Sequence, residues 1–271
     1  MNIRKSGAAS GAVIDSARAS GRAALVGYLP AGFPSYDGGV TLLTAMVEAG
    51  VDVIEIGLPY SDPVIDGPTI QAAADIALRN GARTADVLRT VEAVTGAGAS
   101  AVVMTYWNPV LRYGVDAFAR DLAAAGGSGL ITPDLIPDEA DEWIAASDEH
   151  GLERVFLVAP SSSPTRIERT VAACRGWVYA ASTMGVTGAR TRTSSVAPAL
   201  VERTRAATSL PVCVGLGVSN GAQAAEVASY ADGVVVGSAF VRCVLDAGDE
   251  KAAKRAVAAL AAELADAVRR V

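Results

Sequence analysis

The chain has 271 residues, 51% of them hydrophobic, 19% charged and 5% aromatic, with 27 glycines. That apolar content excludes a disordered or collagen-like polymer, and a chain this long builds a core without disulfide or metal staples. Lys and Arg number 23 against 29 Asp and Glu, a net charge of −6, which excludes a general nucleic-acid-binding surface.

Residues 1–21 carry scattered basic side chains but no apolar h-region, and no run of ~18 apolar residues occurs anywhere. A soluble, cytoplasmic protein without membrane contact is expected. Cys174, Cys213 and Cys243 are far apart, odd in number and lack metal-ligand spacing, which suits a reducing compartment. His150 is the single histidine and sits in Glu149-His150-Gly151, which reads as a helix end followed by a C′ glycine. Serine and cysteine triads need an orienting imidazole, and most zinc sites need one or more. An enzyme with this composition is expected to move protons with carboxylates.

Short β-branched runs alternate with Ala/Leu-rich segments along the chain. Strands are predicted over 24–28, 53–57, 101–105, 129–132, 154–158, 178–181, 212–214 and 233–236. Helices are predicted over 36–49, 69–80, 115–125, 138–150, 164–174, 198–208, 221–229 and 250–269, with an extra one over 84–95 between the second and third units. Eight such units with no linker predict an α/β fold, a single-domain (β/α)8 TIM barrel over residues 1–271. A doubly wound dinucleotide-binding sheet is the competing architecture. Its first βα turn needs a glycine fingerprint, and Leu29-Pro30-Ala31-Gly32-Phe33-Pro34 does not supply it.

Barrel chemistry sits at the C-terminal ends of the strands. After the seventh strand comes Gly215-Leu216-Gly217-Val218-Ser219-Asn220-Gly221, and after the eighth Gly237-Ser238-Ala239-Phe240, each opening a helix. Glycines let backbone N–H groups approach an anion, and a helix N-terminus favours one, so a phosphate cradle is expected there. Tight βα turns alone also explain such glycines. The sixth unit ends in the long Gly/Thr/Arg-rich stretch 184–193, which suits a lid.

In the second strand, Val53-Ile54-Glu55-Ile56-Gly57, alternation turns Ile54 and Ile56 toward the helices and Val53 and Glu55 inward. Desolvation there is expected to raise the Glu55 pKa into the range of a working acid/base. A structural ion pair is the other use of such a group. Asp62 and Asp66 lie in the following loop before a proline and a glycine, and both suit turn formation or helix capping as well as chemistry.

The segment Glu55-Ile-Gly-Leu-Pro-Tyr-Ser-Asp-Pro-Val-Ile-Asp66-Gly-Pro-Thr-Ile-Gln71 resembles the signature of the tryptophan synthase alpha subunit family. Gly185-Val-Thr-Gly-Ala189, Tyr106-Trp-Asn-Pro109, Pro133-Asp134-Leu-Ile-Pro137, Gly215-Leu-Gly217 and Gly237-Ser238 match in order, and the resemblance runs from about 25 to 240. It implies retro-aldol cleavage of indole-3-glycerol phosphate to indole and glyceraldehyde 3-phosphate. Glu55 would be the general acid/base, and Asp66 would hold the indole N–H and the positive intermediate. Thr187 would contact Asp66 from the closing lid, and Gly188, Gly217, Gly237 and Ser238 would hold the phosphate. Tyr28, Tyr106, Ile131, Leu157 and Tyr179 would wall the indole pocket, although Ile131 and Leu157 fit ordinary barrel core equally well.

The resemblance also implies a pyridoxal-phosphate beta subunit as partner in an α2β2 tetramer, facing loops 59–63 and 107–110, with no cofactor or metal on this chain. No lysine falls in any predicted strand, which argues against a lysine-dependent aldolase. Ile65 is bulkier than the small residue the family implies, and Thr183 replaces a longer or basic side chain of some members. Three alternatives stand beside this reading: a stand-alone lyase releasing indole, another phosphate-binding barrel isomerase, and a non-catalytic activator of a beta subunit. The last has no use for the paired carboxylates.

Overall fold

A computed structural model describes residues 8–181, 196–215 and 217–269. Eight parallel strands close into a barrel in chain order. They are β1 (Ala24–Pro30), β2 (Val53–Gly57), β3 (Ser100–Met104), β4 (Gly129–Thr132), β5 (Glu153–Val158), β6 (Val178–Ala181), β7 (Val212–Gly215) and β8 (Gly233–Val236). Helix α1 (Ser10–Ala19) precedes them; α2 (Tyr36–Glu48) follows β1, and α3 (Pro68–Arg79) and α4 (Thr84–Gly96) follow β2. Then come α5 (Trp107–Tyr113), α6 (Val115–Ala124), α7 (Asp141–Glu149), α8 (Pro164–Ala173) and α9 (Ala197–Arg205). The chain continues through α10 (Gly221–Ala228), α11 (Ser238–Leu245) and α12 (Glu250–Ala267).

The predicted barrel and its extra helix are present, and strand alternation divides the core as expected. Ile54 and Ile56 pack with the helix faces, whereas Val53 joins Val26, Val102, Ile131, Val155, Cys213 and Val235 inside the barrel. β-branched residues filling both layers fit a sheet buried on both faces. The single histidine ends α7 before Gly151, whose φ is +70°. Its Nε2 lies 2.9 Å from Asp116 Oδ1.

Three differences from the sequence reading have local causes. The segment predicted as one helix over 138–150 is a 3-10 turn (Pro137–Glu139) and α7, separated at Ala140, where φ is −103° and ψ 11°. Residues 107–110, read as a rim loop, form the first turn of α5. Pro109 is compatible with that position because the first turn needs no intrahelical N–H donor.

The third is α1, whose helix depends on distant residues. Its apolar side chains Ile14 and Ala17 join Trp177 at the N-terminal mouth of the barrel. Glu153, the first residue of β5, is buried against the start of α1: Ser10 Oγ donates to its Oε2 and Gly11 N–H to Oε1 at 3.0 Å. Trp177 Nε1 donates to Ser10 Oγ at 2.9 Å. A carboxylate at a helix N-terminus is favoured by the dipole and satisfies otherwise orphaned N–H groups. Burial pushes the Glu153 pKa up, and the Ser10 and Gly11 bonds pull it back.

Replacing Glu153 by Ala leaves Ser10 and Gly11 without their buried acceptor. Glu153→Ala is expected to lose roughly 2–4 kcal/mol of unfolding free energy. Denaturant unfolding measures it, and hydrogen exchange should localise the loosening to α1. An unchanged midpoint with α1 still protected would refute the anchoring.

Candidate active site

The C-terminal mouth of the barrel opens into a cavity of about 700 Å³. Glu55 reaches it from the third position of β2, in register with Tyr28 of β1 and Val102 of β3. Only 2% of its surface is exposed, and its Oε2 has no hydrogen-bond partner among the described residues. A charged carboxylate in that position loses its hydration without compensation. Burial, reinforced by the nearby charge of Asp66, pushes the Glu55 pKa from 4.5 up to about 8. Glu55 is therefore protonated at neutral pH, a proton donor held against an apolar wall.

Asp66 comes from the loop between β2 and α3. Gly67 is the N-cap residue of α3, with no side-chain cap, and Pro68 starts the helix. The Asp66 carboxylate is thus not spent on capping; its backbone carbonyl instead accepts Gln71 Nε2 at 2.7 Å. Its side chain accepts the Tyr106 hydroxyl at 3.1 Å. Burial raises the Asp66 pKa from its ordinary 3.8, and the Tyr106 bond works against the rise. Asp62, the other acid of that loop, is exposed and accepts only the neighbouring Ser61 hydroxyl at 2.5 Å among the described residues. Of the two aspartates, Asp66 lines the cavity and Asp62 does not.

Tyr28 and Tyr179 close the floor of the cavity, and burial keeps both phenols protonated by raising their pKa well above 10.0. Each fits because a glycine faces it. A Cβ at Gly57 would collide with the Tyr28 hydroxyl, and one at Gly215 with the Tyr179 hydroxyl.

The two glycine-rich turns differ in what they leave open. α10 is already capped: Asn220 accepts Gln223 N–H at 3.0 Å, and Glu263 accepts Gly221 N–H at 2.6 Å. α11 starts at Ser238 after Gly237 with no side-chain cap, and both residues line the cavity. Gly217, with φ +102°, lines it as well. The α11 N-terminus is the one that offers uncapped N–H groups and its dipole to an anion in the cavity.

Tyr106 and Leu157 also lie on the cavity wall. Ile131 does not: it is fully buried in the barrel interior, as ordinary core. Depth explains the difference, because a fully buried interior residue below the mouth does not reach the cavity. Thr187 and Gly188, the lid stretch 184–193 and Thr183 lie outside the described residues. Ile65 lines the cavity, and its N–H reaches the Tyr106 hydroxyl at 3.0 Å. The sequence reading missed a polar side of the cavity, where Thr132, Ser162 and Arg166 line the wall. The strand-end rule reaches Thr132 and Ser162; a lone arginine in the first turn of α8 gave no signal. Among the described residues, Asp116, Glu149 and His150 form a cluster with metal-ligating atoms within 4.8 Å of one another. None of the three lines the cavity.

A (β/α)8 barrel with a protonated, buried carboxyl, a second carboxylate above it and an open helix N-terminus defines a barrel enzyme for proton-transfer chemistry on an anionic substrate. The family model for tryptophan synthase alpha chain matches residues 14–269. A tryptophan synthase alpha chain of Acidothermus cellulolyticus is 65% identical over 263 residues, covering 97% of this chain and 98% of that one. Its counterpart from Mycobacteroides abscessus is 64% identical over 258 residues, covering 95% and 96%. A solved structure of Mycobacterium tuberculosis tryptophan synthase superimposes with a TM-score of 0.91 at 60% identity, covering 98% of this chain and 100% of that one. The chain belongs to the tryptophan synthase alpha chain family. It is a lyase of tryptophan biosynthesis, cleaving indole-3-glycerol phosphate to indole and glyceraldehyde 3-phosphate.

Keeping Glu55 buried has a pH-dependent cost to stability. Its folded pKa of about 8 exceeds the ordinary 4.5, so the folded state holds a proton that the unfolded chain releases between those values. Its contribution to stability therefore falls as pH rises through that window and levels off above it. Glu55→Gln removes the titration, and its stability relative to the native chain should increase from pH 5 to pH 8. Denaturant unfolding of both proteins at the two pH values checks the sign; parallel curves would refute the raised pKa.

Proposed function

We propose that Glu55 and Asp66 divide the cleavage between them. Protonated Glu55 delivers its proton to C3 of the indole ring, which places positive charge on the ring nitrogen. Asp66 accepts the ring N–H and stabilises that charge electrostatically. Glu55, now a carboxylate, takes the proton from the hydroxyl of the glycerol carbon bonded to C3. The C–C bond breaks, its electron pair returns to the ring as indole, and the hydroxyl carbon becomes the aldehyde of glyceraldehyde 3-phosphate. Protons and electrons balance without an external oxidant or reductant, and Glu55 ends protonated as it began. Its unpaired burial carries this reading, because it gives a carboxyl a pKa of about 8, close to the working pH.

In the same reading the phosphate sits at the N-terminus of α11, on Gly237 and Ser238, with Gly217 beside it. Tyr28, Tyr106, Leu157 and Tyr179 wall the indole ring. The chain works in the cytoplasm with a pyridoxal-phosphate beta subunit in an α2β2 tetramer. An apolar rim supports that partner: Val64 is 71% exposed and Leu111 49% exposed. A groove of about 300 Å³ on the same two connections is lined by Pro59, Tyr60, Asn108 and Pro109 among others. Large exposed apolar groups rimmed by polar ones mark contact surfaces. No helix among the described residues is long and apolar enough to cross a membrane.

Indole release from indole-3-glycerol phosphate, measured alone and with saturating beta subunit, tests both parts. Slow release that rises sharply with the partner is expected, whereas fast release unaffected by it would remove the partner from the reading. Glu55→Gln should lower kcat about 10²–10⁴-fold, and an active variant would remove Glu55 from the mechanism.

The pH dependence follows from the two protonation states required. Activity should fall as pH rises through about 8, where Glu55 loses its proton. It should fall on the acid side as Asp66 is protonated, above its ordinary 3.8. A kcat/KM profile for the native enzyme checks both limbs. A profile flat through pH 9 would overturn the acid role of Glu55.

A further inference from the structure

Tyr106 makes contacts that a residue merely lining the pocket would not need. It is 5% exposed and ends its strand-to-helix connection as the N-cap residue of α5. Its hydroxyl donates to Asp66 Oδ1 at 3.1 Å and accepts the Ile65 N–H at 3.0 Å. One phenol oxygen therefore holds both a catalytic carboxylate and the backbone amide immediately before it. A donor to one carboxylate oxygen leaves the other free for a ring N–H, and the amide bond fixes the direction from which the chain presents Asp66.

The ring itself is held from the side and from below. Tyr60 packs on it with centroids 5.4 Å apart, and Asn108 Nδ2 donates to the Tyr60 hydroxyl at 3.0 Å. Trp107 N–H, next along the chain, donates to both Asp134 oxygens at 3.0 and 3.1 Å. Those bonds tie the start of α5 to the end of β4. The phenol position is thus fixed by neighbours that do not touch Asp66, which lets it fix Asp66 in turn.

We propose that Tyr106 is a positioning residue, which orients Asp66 and keeps it ionised in the cleavage reaction. The proposal rests on the role given to Asp66 above. An O–H donor stabilises a carboxylate but not a carboxylic acid, so it favours the ionised form that the cationic intermediate needs. The bond opposes the burial that drives Asp66 toward its neutral form. The other titratable groups that feel Asp66 among the described residues are Glu55 on β2 and Tyr28 on β1. Both are protonated near neutrality and neither supplies a positive charge, so the Tyr106 hydroxyl is the stabilising group.

Tyr106→Phe keeps the ring and its stacking and removes only the oxygen. Ile65 is half-buried, so water can take up its N–H, and the melting midpoint should stay close to native. The expected result is a kcat lowered about tenfold with KM changed less than about threefold. The acid limb of the kcat/KM profile should move to higher pH, because Asp66 loses the bond that favours its charge. A loss of packing alone would raise KM or lower the midpoint without moving that limb.

A double-mutant cycle separates this inference from the reading beneath it. If Tyr106 acts through Asp66, Asp66→Asn alone and together with Tyr106→Phe should have nearly the same kcat. Fully additive losses, or a native acid limb in Tyr106→Phe, would overturn the positioning role while Asp66 remained essential. Native activity in Asp66→Asn would instead remove the catalytic role of Asp66, and with it this inference.

Discussion

Placing an ionisable carboxyl inside an aliphatic barrel and giving one oxygen no partner is a constraint that shapes the whole mouth. Glu55 is 2% exposed beside residues that supply no charge of opposite sign. A carboxyl so placed stays protonated near pH 7 unless a cation compensates it, so the site holds a proton in readiness. Asp66 sharpens the effect, because its negative charge further disfavours ionisation of Glu55. Burial raises both carboxyls, and they differ in partner: Asp66 accepts the Tyr106 hydroxyl, whereas Glu55 Oε2 has no hydrogen-bond partner among the described residues. The Tyr106 bond opposes the rise at Asp66, so the two environments act on the two acids unequally.

The remaining architecture keeps that arrangement specific. Tyr28 and Tyr179 fill the space around Glu55 with neutral phenols, and they fit only because Gly57 and Gly215 present no Cβ. A Cβ at either position would clash with the ring that lines the cavity there. The glycines of β2 and β7 therefore serve the shape of the cavity, whereas Gly217 and Gly237 line its wall beside the start of α11. Asn220 and Glu263 close α10, and α11 begins at the cavity with no side-chain cap.

Much of this was legible in the sequence because period and position carry it. Alternation along β2 turned Glu55 inward, and the strand-end rule drew attention to the turns after β7 and β8. What failed had no local signal. α1 is short, contains two serines and a glycine, and is specified by Glu153, 142 positions from Gly11 in sequence. α5 contains a proline and reads as loop until its first-turn position is known. Ile131 alternates like a pocket residue, but depth in the barrel, which a sequence window does not encode, decides whether it meets the cavity. Asp62 and Asp66 were equivalent by residue chemistry, and only their surroundings separate them: Asp62 is exposed, whereas Asp66 lines the cavity and accepts the Tyr106 hydroxyl.

The molecule also shows what decides between structure and chemistry for one residue type. Glu153 and Glu55 are both strand glutamates, buried at 7% and 2% exposure. At the N-terminal mouth Glu153 meets Ser10, Gly11 and, through Ser10, Trp177, and glycines at 11, 129 and 176 leave room for the contact. Its hydrogen bonds offset part of the desolvation, which still raises its pKa, and make it an anchor for α1. At the C-terminal mouth Glu55 has one oxygen without such a bond, and desolvation appears as a displaced pKa. Burial costs much the same kind of energy at both ends. The partners determine how far it is offset, and the less compensated glutamate is the one at the end where the barrel opens into the cavity.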